Sequence, residues 1–385
     1  MFNVGTPSIH LYRGRVIFRR VLTIALSCAA GLTVASCGSD YPLGPEQEAA
    51  AQNATSTLSG TITGAGSSAQ GPAMNAWQAE FATMHPDVRV QYSPDGSGAG
   101  RGALLAGAVD FAGSDAYLSE EELEESREVC GPEGAFNIPA YVAPISIAFN
   151  LPGIEELNLD AATIARIFRG EITRWNDPAI ASQNEGVDLP DTRITPVSRS
   201  DDSGTTENFT DYLHAVVPEI WTNEADGTFP AGLAGENAKG NAGVVSTVAA
   251  TEGAVTYADD SAVGPPLGRA KLLVGDEYVA VSSEAAAAAV DEAEPVEGRA
   301  EFDIALNLDR KTTAPGAYPL VLVSYHIFCS TYEDEQTANL VKTFGTFVVS
   351  EEGQQAAAVA AGSAPISENL SERATEAINT ISVEE

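Results

Sequence analysis

The chain has 385 residues, 54 of them acidic and 20 basic, for a formal net charge of −34 at pH 7, and it carries only four cysteines and four histidines. Such a length accommodates two units of ordinary domain size, each with its own core. The charge excludes a nucleic-acid binder, which needs a basic face, and the cysteines and histidines are too few and too scattered for a zinc centre.

Residues 1–36 read as an export signal rather than as part of the fold. Arg13, Arg15, Arg19 and Arg20 precede an uncharged run from Val21 to Ser36, which closes as Val34-Ala35-Ser36-Cys37-Gly38. A basic head, a short apolar core and small residues before the cut mark a cleaved leader, too short to span a membrane. Arg19-Arg20 is too incomplete a twin-arginine signature to choose the export route. Cys37, directly after Val-Ala-Ser, resembles the lipobox cysteine of bacterial lipoproteins, lipidated after cleavage; the alternative is a secreted chain with a free thiol. With Cys28 in the leader and Cys37 as anchor, Cys130 and Cys329 remain, most simply a disulfide in an exported chain. His85, His214 and His326 stand at no zinc-ligand spacing to a cysteine, so no metal and no cofactor are expected. Cleavage removes four basic residues and no acidic ones. The bulk surface therefore repels anions, although at physiological salt screening acts over about 8 Å and leaves the choice of ligand to local groups.

Residues 37–57, rich in Pro, Gln, Glu, Ala, Ser and Thr, read as a flexible tether. The body opens with a strand at Leu58-Ser59-Gly60-Thr61-Ile62-Thr63 and the turn Gly64-Ala65-Gly66-Ser67-Ser68-Ala69-Gln70. A helix follows in which Ala73, Trp77, Phe81 and Met84 share a face, with Pro72 at its start and His85-Pro86 at its end. The plan repeats: strand Val88–Tyr92, turn Pro94 to Gly100, and a helix with Leu104 and Leu105. Val109 to Ala116 reads as a short strand ending at the acidic Asp115. Strand alternating with helix argues for a parallel α/β sheet, whose ligands sit beyond the carboxyl ends of the strands.

Tyr141 to Asn150 is apolar enough for a buried strand leading into a second lobe. That lobe takes in a helix from Asp160, with Ile164, Ile167 and Phe168 on one face, then Gly170 to Asp177, and a return strand at Gly253 to Tyr257. Lys271–Val274 and Tyr318–Phe328 read as strands, and the C-terminus as helical. No repeat period and no membrane span are visible after the leader.

Arg199-Ser200-Asp201-Asp202-Ser203-Gly204-Thr205-Thr206 lies between a strand at Arg193–Ser198 and a helix on which Phe209, Leu213 and Val216 recur at helical spacing. Backbone N–H groups at such a helix start, together with hydroxyls and one arginine, suit a small tetrahedral oxyanion. Taken singly, the stretch is equally an ordinary Ser/Thr cap beside a surface arginine. Two further helix starts of the same design, at Ser67-Ser68 and Ser97-Gly98, together with Asp115 at a strand end, favour an anion cradle with a built-in acceptor. Gly64-x-Gly66-x-x-Ala69 formally fits a dinucleotide fingerprint, but no acidic residue ends a strand about 20 residues on. No Gly-x-Ser-x-Gly elbow is present, and His214 and His326 sit within apolar runs, so catalysis is not expected.

In this order, Thr63 to Ser68, Gly96 to Gly100, Val109 to Ala116, Gly170 to Trp175, Arg199 to Thr206 and Lys239-Gly240-Asn241-Ala242-Gly243 resemble the PstS-type phosphate-binding lipoproteins of bacterial phosphate-specific ABC importers. The resemblance implies the two-lobed α/β fold of type II periplasmic binding proteins, with two strands crossing the hinge. Lobe I would comprise 58–143 and 260–385, and lobe II 144–259. It implies phosphate contacts at Ser68, the backbone of Ala69, Ser97, Asp115, Arg199, Ser203, Gly204 and Thr205, with Asp201 orienting the arginine. It further implies a monomer tethered by lipid to the outer face of the cytoplasmic membrane, which delivers inorganic phosphate to permease subunits. Ala69 replaces an aromatic found in many members, and Asp202 a glycine found in some, adding negative charge beside the cradle. Asp115 would choose the ligand, since phosphate at neutral pH keeps an O–H to donate and sulfate has none. The alternatives are a binder of another tetrahedral oxyanion, an exported phosphatase-like enzyme, and a surface protein that kept the fold without the ligand.

Overall fold

The computed structural model describes residues 58–384 apart from 234 and 292. The expected leader, the tether and Cys37 lie outside them. Strands β1 (Gly60–Gly66), β2 (Val88–Ser93) and β3 (Phe111–Ser114) alternate with helices α1 (Gly71–Met84) and α2 (Ser97–Leu105). β1 pairs in parallel with both β2 and β3, so the three turns that follow these strands share one sheet edge. Helix α3 (Glu120–Cys130) begins with a capping box, in which Ser119 and Glu122 each bond the other's backbone N–H.

The longest strand, β4 (Ala135–Phe149), is buried along all of its 15 residues. Ala-, Ile- and Phe-rich sequence without a polar face suits a strand covered on both sides. Its first part pairs antiparallel with β13 (Val321–Cys329), and Ile145–Phe149 pair with β8 (Ala254–Asp259). β4 therefore passes from one half of the sheet to the other. The chain returns beside it: the Ile145 N–H donates to Leu320 O at 2.9 Å, and the Tyr318 hydroxyl donates to Ile145 O at 3.0 Å. β4 and the irregular segment leading into β13 are thus the two passages of the chain between the halves of a two-lobed α/β fold.

In the second half, β8 and β6 (Thr195–Arg199) run parallel, and β7 (Glu236–Ala238) joins β6. Helices α4 (Ala161–Phe168), α6 (Gly204–Val216) and α7 (Gly240–Ala250) belong to this half, and a four-residue turn of helix, α5, spans Pro178–Ala181. Strand β5 (Glu156–Leu159) pairs in parallel with β9 (Gly268–Val274), which also touches the end of β4. Aromatic packing is separate in each half. Trp77, Phe81, Phe111 and Phe344 cluster around His326 in the first. Phe168, Phe209 and Phe229 surround Tyr257 in the second, with Phe209 stacked on Tyr257 at 4.1 Å between centroids.

The Cys130–Cys329 disulfide is formed and joins the end of α3 to the end of β13 across 199 residues of sequence. Among the described residues no helix is long and apolar enough to cross a membrane, and no group of three or more His, Cys, Asp or Glu is placed to hold a metal.

Candidate functional site

Three turns of the first half, after β1, β2 and β3, face two of the second half, after β6 and β7. Close approach of their backbones depends on glycine. A Cβ on Gly66, at φ +144, would lie 1.8 Å from Gly113 O, so only glycine lets β1 end against β3. Across the cleft, a Cβ on Gly204 would lie 2.6 Å from both Asp115 Cβ and Ser97 Oγ, so the two halves meet directly at this point.

Arg199, at the end of β6, is 3 % exposed. Its Nε donates to Asp201 Oδ1 at 2.9 Å and its Nη2 to Asp201 Oδ2 at 2.5 Å. Burial pushes the Asp201 carboxyl up, but the hydrogen bonds and charge of Arg199 outweigh that and hold it below its ordinary range. Nη2 also reaches Ser68 Oγ at 3.1 Å, across the cleft. Nη1 is buried and has no hydrogen-bond partner, a costly state for a cationic donor.

Asp115 stands at the carboxyl end of β3 and is 4 % exposed. Ser324 Oγ donates to its Oδ1 at 2.6 Å, and Thr205 Oγ1 to its Oδ2 at 3.3 Å. Its own N–H donates to Ser97 Oγ at 3.1 Å, leaving the Ser97 hydroxyl proton to be donated elsewhere. Desolvation raises the Asp115 carboxyl above its ordinary range, against the lowering effect of Ser324, Ser67, Arg199 and Thr205.

Ser68, Ser97, Asp115, Arg199, Asp201, Gly204 and Thr205 thus come together from both halves. Ala69 and Ser203 stand in the turns before α1 and α6 with local partners. The Ala69 N–H donates to Ser67 Oγ at 3.0 Å, because α1 starts two residues later, at Gly71, and the turn before it closes on itself. Ser203 Oγ caps its own helix by accepting the Thr206 N–H at 3.2 Å. Asp202 packs against Gly98 and Gly227, where a Cβ would come within 2.1 and 2.2 Å of its carboxylate. It bears on Arg101 and on Glu207, which desolvation first and then Asp202 and other acids raise to about 7.

Several contributors have no signal in the local sequence. Ser324 arrives on β13, a uniformly buried strand with no polar pattern to mark it. Gln70, fully buried, donates to Ser324 Oγ at 2.8 Å and lies 3.1 Å from His326 Nε2. Burial pushes the His326 imidazole down to about 3, so it stays neutral and structural, as its apolar run suggests. The Arg199 N–H donates to the Tyr257 hydroxyl at 3.2 Å. Asn208 donates to Asp115 O at 2.8 Å and is itself held by Arg310, which also bonds the carbonyls of Pro319 and Val321 beside the hinge. The Lys239-Gly240-Asn241 stretch does mark itself, as a glycine turn before a helix: the Gly240 N–H donates to Asp201 Oδ1 at 3.0 Å.

A buried guanidinium with one free donor arm, hydroxyls from both halves and a buried acceptor carboxylate form a polar cage fitted to a small oxyanion that itself bears a proton. Residues 51–352 match the family model described as a PBP superfamily domain. The sequence is 36% identical to phosphate-binding protein PstS 3 of Mycobacterium leprae, covering 92% of this chain and 96% of that protein. It is likewise 36% identical to phosphate-binding protein PstS 2 of Mycobacterium tuberculosis, over 82% of this chain and 86% of that protein. Among solved structures, a high-affinity periplasmic phosphate-binding protein, PfluDING, bound with phosphate superposes with a TM-score of 0.65 at 21% identity, over 84% of this chain and 99% of that one. The phosphate-binding protein of Stenotrophomonas maltophilia gives 0.61 at 21%, over 83% of this chain and 94% of that one.

Proposed function

The chain belongs to the PstS family of phosphate-binding proteins within the PBP superfamily, and from that premise we propose that it captures inorganic phosphate outside the cytoplasm and delivers it to the permease subunits of an ABC importer. Its role is binding, not catalysis. The observation that carries the choice of ligand is the pairing of Arg199 Nη1, buried without a partner, with the buried Asp115 carboxylate in one cage. An anion satisfies the first. Only an anion with a proton to donate satisfies the second.

In this assignment Arg199 supplies the charge, oriented by Asp201, and Ser68, Ser97, Thr205 and the helix start at Gly204 supply donors. Each charge-assisted hydrogen bond contributes roughly 1.5–3 kcal/mol. The Ala69 N–H is engaged by Ser67 Oγ, whereas Ser203 Oγ, which accepts the Thr206 N–H, keeps its hydroxyl proton to donate to the anion. Asp202, facing Gly98 and Gly227, leaves the cage intact. We further propose that lobe II extends through β9 and β10 (Glu277–Val279), to about residue 282, because β9 pairs with β5 and β4. The leader and Cys37 fit export and lipid anchoring, with the folded body acting as a monomer on the outer face of the cytoplasmic membrane.

Titration calorimetry tests the assignment. Phosphate binds with an affinity at least about 10⁴-fold above that of sulfate, the discrimination typical of a site built around a ligand O–H. Comparable sulfate affinity would overturn it.

A further inference from the structure

Asn241 is 2 % exposed and lies in the first turn of α7, on the far side of the cleft from Ser68. Its side-chain oxygen accepts the Asp259 N–H at 3.1 Å. That bond fixes which way the amide faces, because Oδ1 is engaged on the hinge side and Nδ2 must point into the cleft. Nδ2 lies 3.2 Å from Ser68 Oγ and 3.4 Å from Thr205 Oγ1. The Asn241 backbone N–H also donates to Ser68 Oγ, at 3.2 Å. With Arg199 Nη2 at 3.1 Å, three N–H donors converge on one hydroxyl oxygen. A hydroxyl has two lone pairs, so the three compete, and Asn241 Nδ2, which also reaches Thr205 Oγ1, is the donor with an alternative partner in the cage.

Asp259 is itself held. It ends β8, is fully buried, and takes the Tyr141 hydroxyl at 3.2 Å from Oδ2 and the Ser261 N–H at 3.0 Å from Oδ1. Tyr141 belongs to β4 where that strand approaches the crossing. An unbroken set of hydrogen bonds therefore runs from the hinge strand through Tyr141, Asp259 and Asn241 to Ser68 on the opposite lobe.

We propose that Asn241 is a positioning residue for capture: it clamps lobe II onto Ser68 in the closed state and thereby sets how slowly the anion leaves. This rests on the phosphate assignment for its kinetic consequence, but not for the clamp itself. Arg199 and Asp115 select and hold the anion; Asn241 holds the lobes. The donors it brings act only after closure, so its removal affects escape and not encounter.

The test uses the full chain with Asn241→Ala and Asn241→Asp, the second keeping the acceptor oxygen for Asp259 while removing the donor. Stopped-flow measurement with inorganic phosphate is expected to show release about tenfold faster in both, the worth of one or two hydrogen bonds. Association should stay within about twofold, and Tm should fall by no more than the few degrees that the orphaned Asp259 N–H brings in Asn241→Ala. Hydrogen exchange on the phosphate-free protein should show faster exchange confined to residues 67–70 and 204–206 in both variants. Release at the parent rate, a loss carried by association, or a fall in Tm with exchange rising throughout the molecule would each overturn the clamp. If the parent protein fails to bind phosphate, the assigned function falls, while local exchange at 67–70 still decides the clamp.

Discussion

Arg199 and Asp201 share two hydrogen bonds, Nε to Oδ1 at 2.9 Å and Nη2 to Oδ2 at 2.5 Å, which fix the guanidinium plane and leave Nη1 as the free arm. A lysine would keep the charge but present no planar fork and could not engage Asp201 and an anion together. Arg199→Lys is therefore expected to weaken phosphate binding by about 100-fold or more, in line with the loss of one or two charge-assisted bonds. Calorimetry measures it, and a loss under tenfold would contradict the role given to the fork.

Asp115→Asn should weaken discrimination more than binding. The amide offers a donor where the carboxylate offers only acceptors, so a sulfate oxygen is no longer repelled. The phosphate-to-sulfate affinity ratio is expected to fall by about two orders of magnitude. Burial raises the Asp115 carboxyl, so in the parent protein acidification adds a proton there and sulfate affinity should rise as pH falls. In Asp115→Asn that rise should be absent. Competition titrations across pH read both.

Gly204→Ala separates closure from folding. The new methyl would meet Asp115 Cβ and Ser97 Oγ at 2.6 Å, both across the cleft, while alanine at a helix start carries no strain of its own. Tm should hold or rise slightly. Phosphate affinity should fall by about 100-fold, through failure to close. A matching loss of Tm would place the clash in the folding of α6 instead.

Stability should fall as pH rises, partly because of Asp259. Desolvation raises this carboxyl to about 7, above its unfolded value of about 3.9. Between those values the native state keeps a proton that the unfolded chain has lost, so stability declines with rising pH and the loss is complete above about 7. Asn at this position cannot ionise and still accepts the Tyr141 hydroxyl. Asp259→Asn should remove that part of the slope, gaining on the order of a few kcal/mol at pH 8 and little at pH 4. Denaturant melts at the two pH values decide it.

Salt should speed capture. The full chain carries a net charge of −34, and loss of the leader removes four more basic residues, so the protein repels its own ligand at long range. Raising ionic strength from about 10 mM to 150 mM shortens the screening length from about 30 to 8 Å. Phosphate association should quicken several-fold, opposite to the trend at a site in a basic surface. A slower rate at high salt, read by stopped flow, would show that the local field at the cleft mouth outweighs the whole-molecule charge.

Much of the site was legible because its parts are local. A strand, a Gly-Ser turn and a helix start are fixed by residues within a few positions of each other, and so are the donors they present; a Ser/Thr cap at the start of α6 and Asp115 at a strand end follow from such short stretches, whereas the pairing of Arg199 with Asp201 was implied by the family resemblance. The Ala69 N–H donates to Ser67 Oγ, a bond that depends on where α1 begins, at Gly71. What only the tertiary structure decided is everything set by sheet order and lobe closure. Ser324 reaches Asp115 across 209 residues of sequence, Arg199 reaches Ser68 across 131, and Asn241 reaches Ser68 across 173. β9 likewise joins the second half through pairing with β5, which no periodicity announces. Ser324 meets Asp115 because β13 pairs with β3, and Arg199 and Asn241 meet Ser68 because β4 and the segment returning to β13 carry the backbone twice between the halves; hydrogen bonds made over that distance leave no spacing in the sequence to read.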